Sequence, residues 1–214
     1  MTPFRLAVLL LITAMATGQE WLLPVRAGDR KSWQDVRLTD IGRYGLRRRE
    51  RPGIPGHLHT GVDFKRPGGN YRDEPVFPAG PGVLVSLRTD GPFAQAIVEH
   101  RLDSVRYIWT VYEHIAGILV ALHDSVGPRR PLARFMDRTE LDRYGWQFDH
   151  LHFEVMRIKP NPANGDRRRP ARKYQTYGLS CHTAAELDSC YFDPREFLEG
   201  QWRGPRGQGE CRSR

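Results

Sequence analysis

Residues 150–155 alternate strictly between polar and apolar side chains, and this alternation constrains the fold more than any other stretch. Side chains of a β-strand point alternately to its two faces, so the pattern predicts a strand with one face in a core and the other on a cleft. Two histidines at positions i and i+2 would lie about 6–7 Å apart on one face, where one can bind a metal ion while the other reaches a water on it. The predicted cleft face carries His150, His152 and Glu154, and the core face carries Leu151, Phe153 and Val155.

The remaining pattern predicts few helices and several short strands. The chain has 21 glycines and 16 prolines among 214 residues, which favours one turn-rich, strand-rich domain over a helical bundle. Strands are predicted over 75–86 (strand, tight turn, strand), 94–99 and 105–115. We expect a short strand near 33–38 and a short helix near 137–144. The fold class is therefore mainly β, built as an antiparallel sheet.

The first 18 residues are typical of a secretory signal peptide. A basic residue, Arg5, precedes an apolar run over 7–13, and small residues follow at Ala14 and Ala16. The run is shorter than the roughly 20 residues of a membrane span, although an uncleaved anchor is the alternative. We expect an exported protein, periplasmic or extracellular and associated with the cell wall.

The formal net charge of +8 bears on the partner. For an exported protein, an anionic wall polymer or membrane surface is favoured over nucleic acid. The basic runs 47–49 and 167–169 have no interleaved aromatic residues, so we interpret them as solvated loop charges and predict no nucleic-acid site.

Three cysteines, Cys181, Cys190 and Cys211, would meet an oxidising compartment. The shortest loop joins Cys181 to Cys190, and we predict this pair as a disulfide that would stabilise the fold by about 2–3 kcal/mol. Cys211 would then be left over. No cysteine lies close to the histidine motifs, which argues against a cysteine-ligated structural zinc.

Two further motifs carry residues suited to a metal site. His59 and Asp63 are four apart, which places them on one face of a strand, and Gly61 between them is expected to leave room for an ion or a substrate backbone. Imidazole and carboxylate donors suit zinc. The alternative is a buried histidine bonded to an aspartate in a turn. His114, near the end of the strand predicted over 105–115, is a candidate cleft residue or a structural histidine.

Taken in order, the motifs His59-x-Gly61-x-Asp63, Tyr112-x-His114 and His150-Leu-His152-Phe-Glu resemble those of the lysostaphin-type (LytM-like) zinc metallopeptidases. Segments 44–47, 75–86 and 193–198 resemble further parts of that family's pattern. The resemblance covers about 41–198, between an N-terminal lead-in (19–40) and a C-terminal tail (199–214).

This resemblance implies a partly open antiparallel β-sheet with a groove across it, of the duplicated-hybrid-motif type. It implies one Zn²⁺ held by His59, Asp63 and His152, with a fourth position open for water. His150 would act as general base and His114 would orient the water or stabilise the oxyanion, although which histidine is the base stays open. The implied reaction is hydrolysis of peptide stems or crosslinks of bacterial peptidoglycan.

Three departures from the family pattern affect these expectations. His57 creates a second His-x-His, so a ligand swap with His59 is an alternative. Asp149 stands before His150, where the family usually has a small residue. A long C-terminal insertion, about 158–190, could rim or partly cover the groove, or be inert decoration.

All three implied ligands and both further histidines are present in the chain. This favours an enzyme over a non-catalytic module of the same fold that binds the wall or activates an amidase. A secreted basic metal-binding or adhesion protein, whose histidines are only surface donors, would leave the ordered motifs unexplained.

Overall fold

The computed structural model describes residues 19–165 and 167–203, so the predicted signal peptide and Cys211 lie outside it. Within that part of the chain no helix is long and apolar enough to cross a membrane. The helices are α1 (Arg138–Tyr144), α2 (Ala184–Cys190) and α3 (Pro194–Arg203), with short 3₁₀ helices at Trp33–Asp35 and Trp146–Phe148. The strands are β1 (Arg47–Arg48), β2 (His57–Leu58), β3 (Val62–Lys65), β4 (Pro75–Val76), β5 (Gly82–Arg88), β6 (Gln95–Arg101), β7 (Tyr107–Glu113), β8 (Ile115–Ala116), β9 (Ser125–Val126), β10 (Ala133–Phe135), β11 (His150–Met156), β12 (Asn161–Pro162), β13 (Tyr174–Gln175) and β14 (Tyr191–Phe192).

The main sheet is centred on β11. Its strand order is β14-β11-β7-β6-β5-β9, and β3 pairs with β11 on the edge that β14 also uses. Strand β3 takes the first half of that edge and β14 the second, while β7 pairs along the other edge. Every described pair is antiparallel, so the predicted mainly β, antiparallel fold class is confirmed.

The apolar side chains of β11 enter the larger of two cores. Leu151, Phe153 and Val155 are essentially inaccessible to solvent, and they pack with apolar residues of β3, β5, β6 and β7. The lead-in joins this core through Trp21 and Leu23. Burying a side chain of this size stabilises the fold by about 1.5–3 kcal/mol, so the core fixes which face of β11 turns inward.

The opposite face of the sheet carries the smaller core, and the insertion covers it. Ile97, Val111 and Met156 of the sheet pack against Cys181 and Tyr191. Tyr174, Tyr177 and Leu187 also contact this core. Since Met156 shares its face with His152, the insertion covers part of the face that bears the histidines. The insertion therefore packs on the face that bears the histidines, and its expected role of rimming or partly covering the groove stays a prediction.

Local signals explain two of the smaller elements. Helix α1 begins at the predicted place because Asp137 and Glu140 form a reciprocal capping box. The short strand predicted near 33–38 is wrong. Ser32 accepts a hydrogen bond from the Gln34 amide, which starts a 3₁₀ helix, and only one bridge joins Leu38 to Phe64.

The predicted disulfide between Cys181 and Cys190 is not formed in the structure, where both residues are free thiols. Burial is the main factor that raises the pKa of the Cys181 thiol to about 12, and the charge of Cys190 adds to it. The thiolate that attacks in disulfide formation is therefore scarce at this position.

His100, a buried histidine outside the cleft, makes the stability of the core depend on pH. His100 is fully buried and bonds to the Pro81 carbonyl (2.8 Å) and the Thr110 hydroxyl (2.7 Å). Burial lowers its pKa to about 4, against about 6.5 in an unfolded chain. The folded state therefore favours the neutral ring, so this stability is complete above pH 6.5 and is lost as the pH falls towards 4.

We expect His100 to lower the free energy of unfolding by about 2 kcal/mol between pH 7.5 and pH 5. Urea denaturation at both pH values measures the change. In His100→Gln, whatever its absolute stability, the difference between the two pH values should shrink by about that amount. If the difference in the free energy of unfolding between the two pH values is unchanged in His100→Gln, His100 is not its source.

Candidate metal centre

The register of β3 against β11 positions the candidate ligands. Asp63 and His152 are directly paired residues, so their side chains leave the sheet on the same face. His59 lies three residues before β3. A Cβ at Gly61 would meet the Phe153 backbone oxygen at 2.2 Å. Gly61 is therefore required by the close approach of the chain to β11, and its expected role of leaving room for an ion or a substrate backbone stays a prediction.

Three donor atoms converge at this point. His59 Nε2 lies 3.0 Å from both His152 Nδ1 and Asp63 Oδ1, and His152 Nδ1 lies 2.9 Å from the same oxygen. These three residues form a group that could hold a metal ion. Tetrahedral ligands with bonds of about 2.0–2.1 Å are about 3.4 Å apart, so a small outward relaxation would accommodate Zn²⁺.

Hydrogen bonds on the far side of each imidazole favour the tautomers that a metal requires. The Nδ1–H of His59 donates to the Arg43 carbonyl oxygen at 2.9 Å, which leaves the Nε2 lone pair for the cluster. The Nε2–H of His152 donates to Glu154 Oε1 at 3.0 Å, which leaves Nδ1 free. Partners of this kind orient metal-binding histidines and raise their basicity.

The charges of the cluster also suit a cation. Burial opposes ionisation of Asp63, but hydrogen bonds from His152 and His59 outweigh burial and hold its pKa well below the usual range. Burial likewise opposes the charged form of His152, yet its bonds to Asp63 and Glu154 raise its pKa well above 6.5. The protonated His152 ring thus stabilises the buried carboxylate oxygens of Asp63 and Glu154. A bound metal ion would supply positive charge at this place instead of the proton.

Two residues support the cluster in roles that the sequence did not predict, although Glu154 was expected on the cleft face. Arg48 donates to Asp63 Oδ2 at 2.8 Å, so Oδ1 is the oxygen left to face the other ligands. Arg48 belongs to the basic run 47–49, so the interpretation of that run as solvated loop charges is wrong for Arg48, whereas Arg47 is exposed. Glu154 accepts from both His152 and the Thr60 hydroxyl (2.5 Å). Its position two residues after His152 was the available signal.

His150 and His114 lie beside the cluster, with ring centroids 4.7 Å apart. His150 Nε2 is 3.7 Å from Asp63 Oδ1. Burial, followed by the charge of His114, lowers the pKa of His150 to about 3, and burial also lowers the pKa of His114. The Nδ1–H of His114 donates to the Pro92 carbonyl, and its backbone adopts a left-handed φ of 64°. Both rings are therefore neutral at pH 7, and the left-handed backbone at His114 is strained for a residue with a side chain.

His57 and Asp149, which depart from the family pattern, each have a hydrogen-bond partner in the structure. His57 lies outside the donor cluster and bonds through Nδ1 to the Pro55 carbonyl, so the alternative ligand swap with His59 has no support in the geometry. Asp149 accepts two hydrogen bonds through Oδ1 alone, from Nε (2.9 Å) and Nη2 (2.7 Å) of the buried Arg66. Arg66 also donates to the Met136 carbonyl. This pair ties the loop before β11 to the body of the domain.

Comparison with protein-family models and with curated proteins finds no match. Among solved structures, the fold is similar to a zinc containing peptidase from Vibrio cholerae (23% identity, TM-score 0.43, covering 64% of this chain and 37% of that one). It is also similar to the antimicrobial peptidase lysostaphin from Staphylococcus simulans (18%, 0.44, 88% and 57%). A third is a chain of the SpoIIQ–SpoIIIAH pore forming complex (14%, 0.44, 80% and 98%).

Lysostaphin-type peptidases, which the sequence resembles, are thus among the proteins of similar fold. The likeness concerns the fold alone. The chain spans little more than a third of the Vibrio cholerae peptidase and somewhat over half of lysostaphin.

Removal of the Glu154 carboxylate should weaken metal binding. In Glu154→Ala the Nε2–H of His152 loses its acceptor, so we expect the affinity for Zn²⁺ to fall about 10–100-fold. Glu154→Gln keeps an acceptor oxygen and should fall less. Competition with a chromophoric chelator measures both. Glu99→Ala is the control, because Glu99 bonds to Trp109 and contacts no candidate ligand. Equal affinities in Glu154→Ala and the unaltered protein would contradict this role.

Proposed function

We propose that the protein is a zinc-dependent endopeptidase that hydrolyses peptide bonds of bacterial peptidoglycan. The observation that carries the proposal is the convergence of His59 Nε2, Asp63 Oδ1 and His152 Nδ1 beside two neutral histidines. Three protein ligands with an open position are the arrangement of hydrolytic rather than structural zinc sites.

The chain's own residues supply the remaining parts of the reaction. When bound, Zn²⁺ supplies Lewis-acid activation of water and of the scissile carbonyl. His150 offers a neutral nitrogen close to the cluster and accepts the proton of the attacking water. His114, held by the Pro92 carbonyl, presents its other ring nitrogen to the same space and orients the water or stabilises the oxyanion. Digestion rates of His150→Ala and His114→Ala decide which of the two histidines is the base.

Further features support a polymeric wall substrate. The motif order resembles that of peptidases acting on peptidoglycan, and the predicted export would bring the chain to the wall. The formal charge of +8 favours an anionic polymer or membrane surface as the environment. The Arg169 side chain of the basic run 167–169 pairs with Asp90, which agrees with a loop charge rather than a nucleic-acid site.

A non-catalytic module of the same fold is the competing proposal. Such a module has no need of a complete donor set or of neutral histidines beside it. In this chain the donors are complete, and Glu154 and Arg43 position both ligand imidazoles. These contacts favour the enzyme.

Digestion of purified peptidoglycan by the mature protein tests the proposal. We expect new free amino groups, measured by a fluorogenic amine reagent, and none after chelation or in His152→Ala. His150→Ala should keep zinc and lose at least about 100-fold in rate, since a general base contributes about 10²–10⁴-fold.

The variants distinguish the possible roles. Loss of zinc in His150→Ala would mean that the roles of His150 and His152 are reversed. A smaller effect in His150→Ala than in His114→Ala would assign the base to His114. Zinc bound tightly without cleavage of any wall preparation would exclude the enzyme and leave the binding module.

A further inference from the structure

A row of polar residues crosses the sheet from the candidate metal centre. Strand register pairs Asp63 with His152, His152 with Glu113, Glu113 with Gln95, and Gln95 with Arg88. Directly paired residues point to the same face, so the five side chains form one line across β3, β11, β7, β6 and β5. With strands about 4.8 Å apart, the line extends about 19 Å.

The neighbouring features make this row the floor of a groove. On one side the next residues of the same face, Val111 and Ile97, are buried under the insertion. The other side is bordered by Phe93, Phe148 and His114, whose rings contact one another at 5.0–5.8 Å between centroids. At about 3.3 Å per residue, an extended peptide of five or six residues would fill the groove.

Glu113 is an anion without a strong cationic partner in this groove. Its Oε2 accepts from the Gln95 amide. Among residues 19–165 and 167–203, its one ion-pair contact is His114 Nε2 at 3.9 Å from Oε1, and burial lowers the pKa of that histidine. The Glu113 side chain is 23% exposed, so its carboxylate is partly desolvated but still accessible to a ligand. A cationic donor forms a stronger hydrogen bond with such a carboxylate than a neutral donor does.

The far end of the row has the opposite character. Arg88 lies with its Cζ 5.6 Å from the centroid of the Phe93 ring. Asp90 is shared between Arg88, at 3.6 Å, and a bidentate contact from Arg169. The Arg88 guanidinium lies at this end of the row and the Glu113 carboxylate lies near its centre, so a substrate amine is repelled from Arg88 and attracted to Glu113.

We propose that Glu113, with Gln95, forms a subsite for a primary ammonium group of the substrate peptide. The subsite lies one strand away from the metal ligands, so the ammonium belongs to the side chain of a diamino acid next to the scissile bond. The inference rests on the proposed endopeptidase function and names a recognition element within it. Glu113 binds substrate and takes no part in proton transfer.

Two peptides test the subsite: a peptidoglycan stem peptide with a free diamino-acid amine, and the same peptide acetylated at that amine. A charge-assisted hydrogen bond predicts kcat/KM about 10–100-fold higher for the free amine. In Glu113→Gln the ratio should fall to near one, chiefly through slower turnover of the free-amine peptide. Glu196→Gln is the matched control, because Glu196 is exposed on α3, and it should keep the full ratio.

A binding measurement separates failure of the subsite from failure of the enzyme. Calorimetry with the zinc-loaded His150→Ala protein compares the affinities of the two peptides without cleavage. Tighter binding of the free amine, lost in His150→Ala/Glu113→Gln, supports the subsite even if no peptide is ever cleaved. Equal binding or equal cleavage of both peptides overturns the subsite while leaving the endopeptidase intact. Melting temperature and zinc content of Glu113→Gln exclude a folding defect.

Discussion

The pairing of β3 with β11 is the constraint on which the rest of the structure depends. Because the side-chain period of a strand is two, a slip of one residue would send His152 into the core and Leu151 into the cleft. Two independent requirements exclude the slip. The larger core needs the apolar face of β11, and Gly61 allows the preceding chain to approach the Phe153 backbone in only this register.

The same pairing brings buried charges together, and the surrounding residues compensate for them. An isolated buried carboxylate would be costly, but Asp63 is bonded on one oxygen by Arg48 and on the other by imidazoles. Glu154 accepts from Thr60 and His152 through Oε1 alone, and its buried Oε2 has no hydrogen-bond partner among the described residues. Each ligand therefore has a partner on the side away from the cluster, so the donor atoms are oriented before any cation arrives.

How much of the fold and of the candidate site could be predicted from the sequence depends on how far apart in sequence the interacting residues lie. The two faces of β11 follow from local alternation, whereas the set of three candidate ligands follows from the resemblance of the ordered motifs to those of lysostaphin-type peptidases. Arg48 does not, because β1 and β2 are two residues long and tertiary contacts decide which arginine faces Asp63. The Asp149–Arg66 pair joins residues 83 apart, so an acid that looked anomalous beside His150 could not be matched to its partner beforehand.

The insertion shows how one face of a sheet can be divided between packing and recognition. Tyr174 and Tyr177 help cover the apolar row, and the Lys173 and Tyr174 amides bond to the Ser86 hydroxyl, which fastens the insertion to β5. In the adjacent polar row the Gln95 amide donates to Glu113, whose side chain keeps 23% of its exposure to solvent. A ligand bound along this row would therefore be recognised by charge rather than by apolar contact.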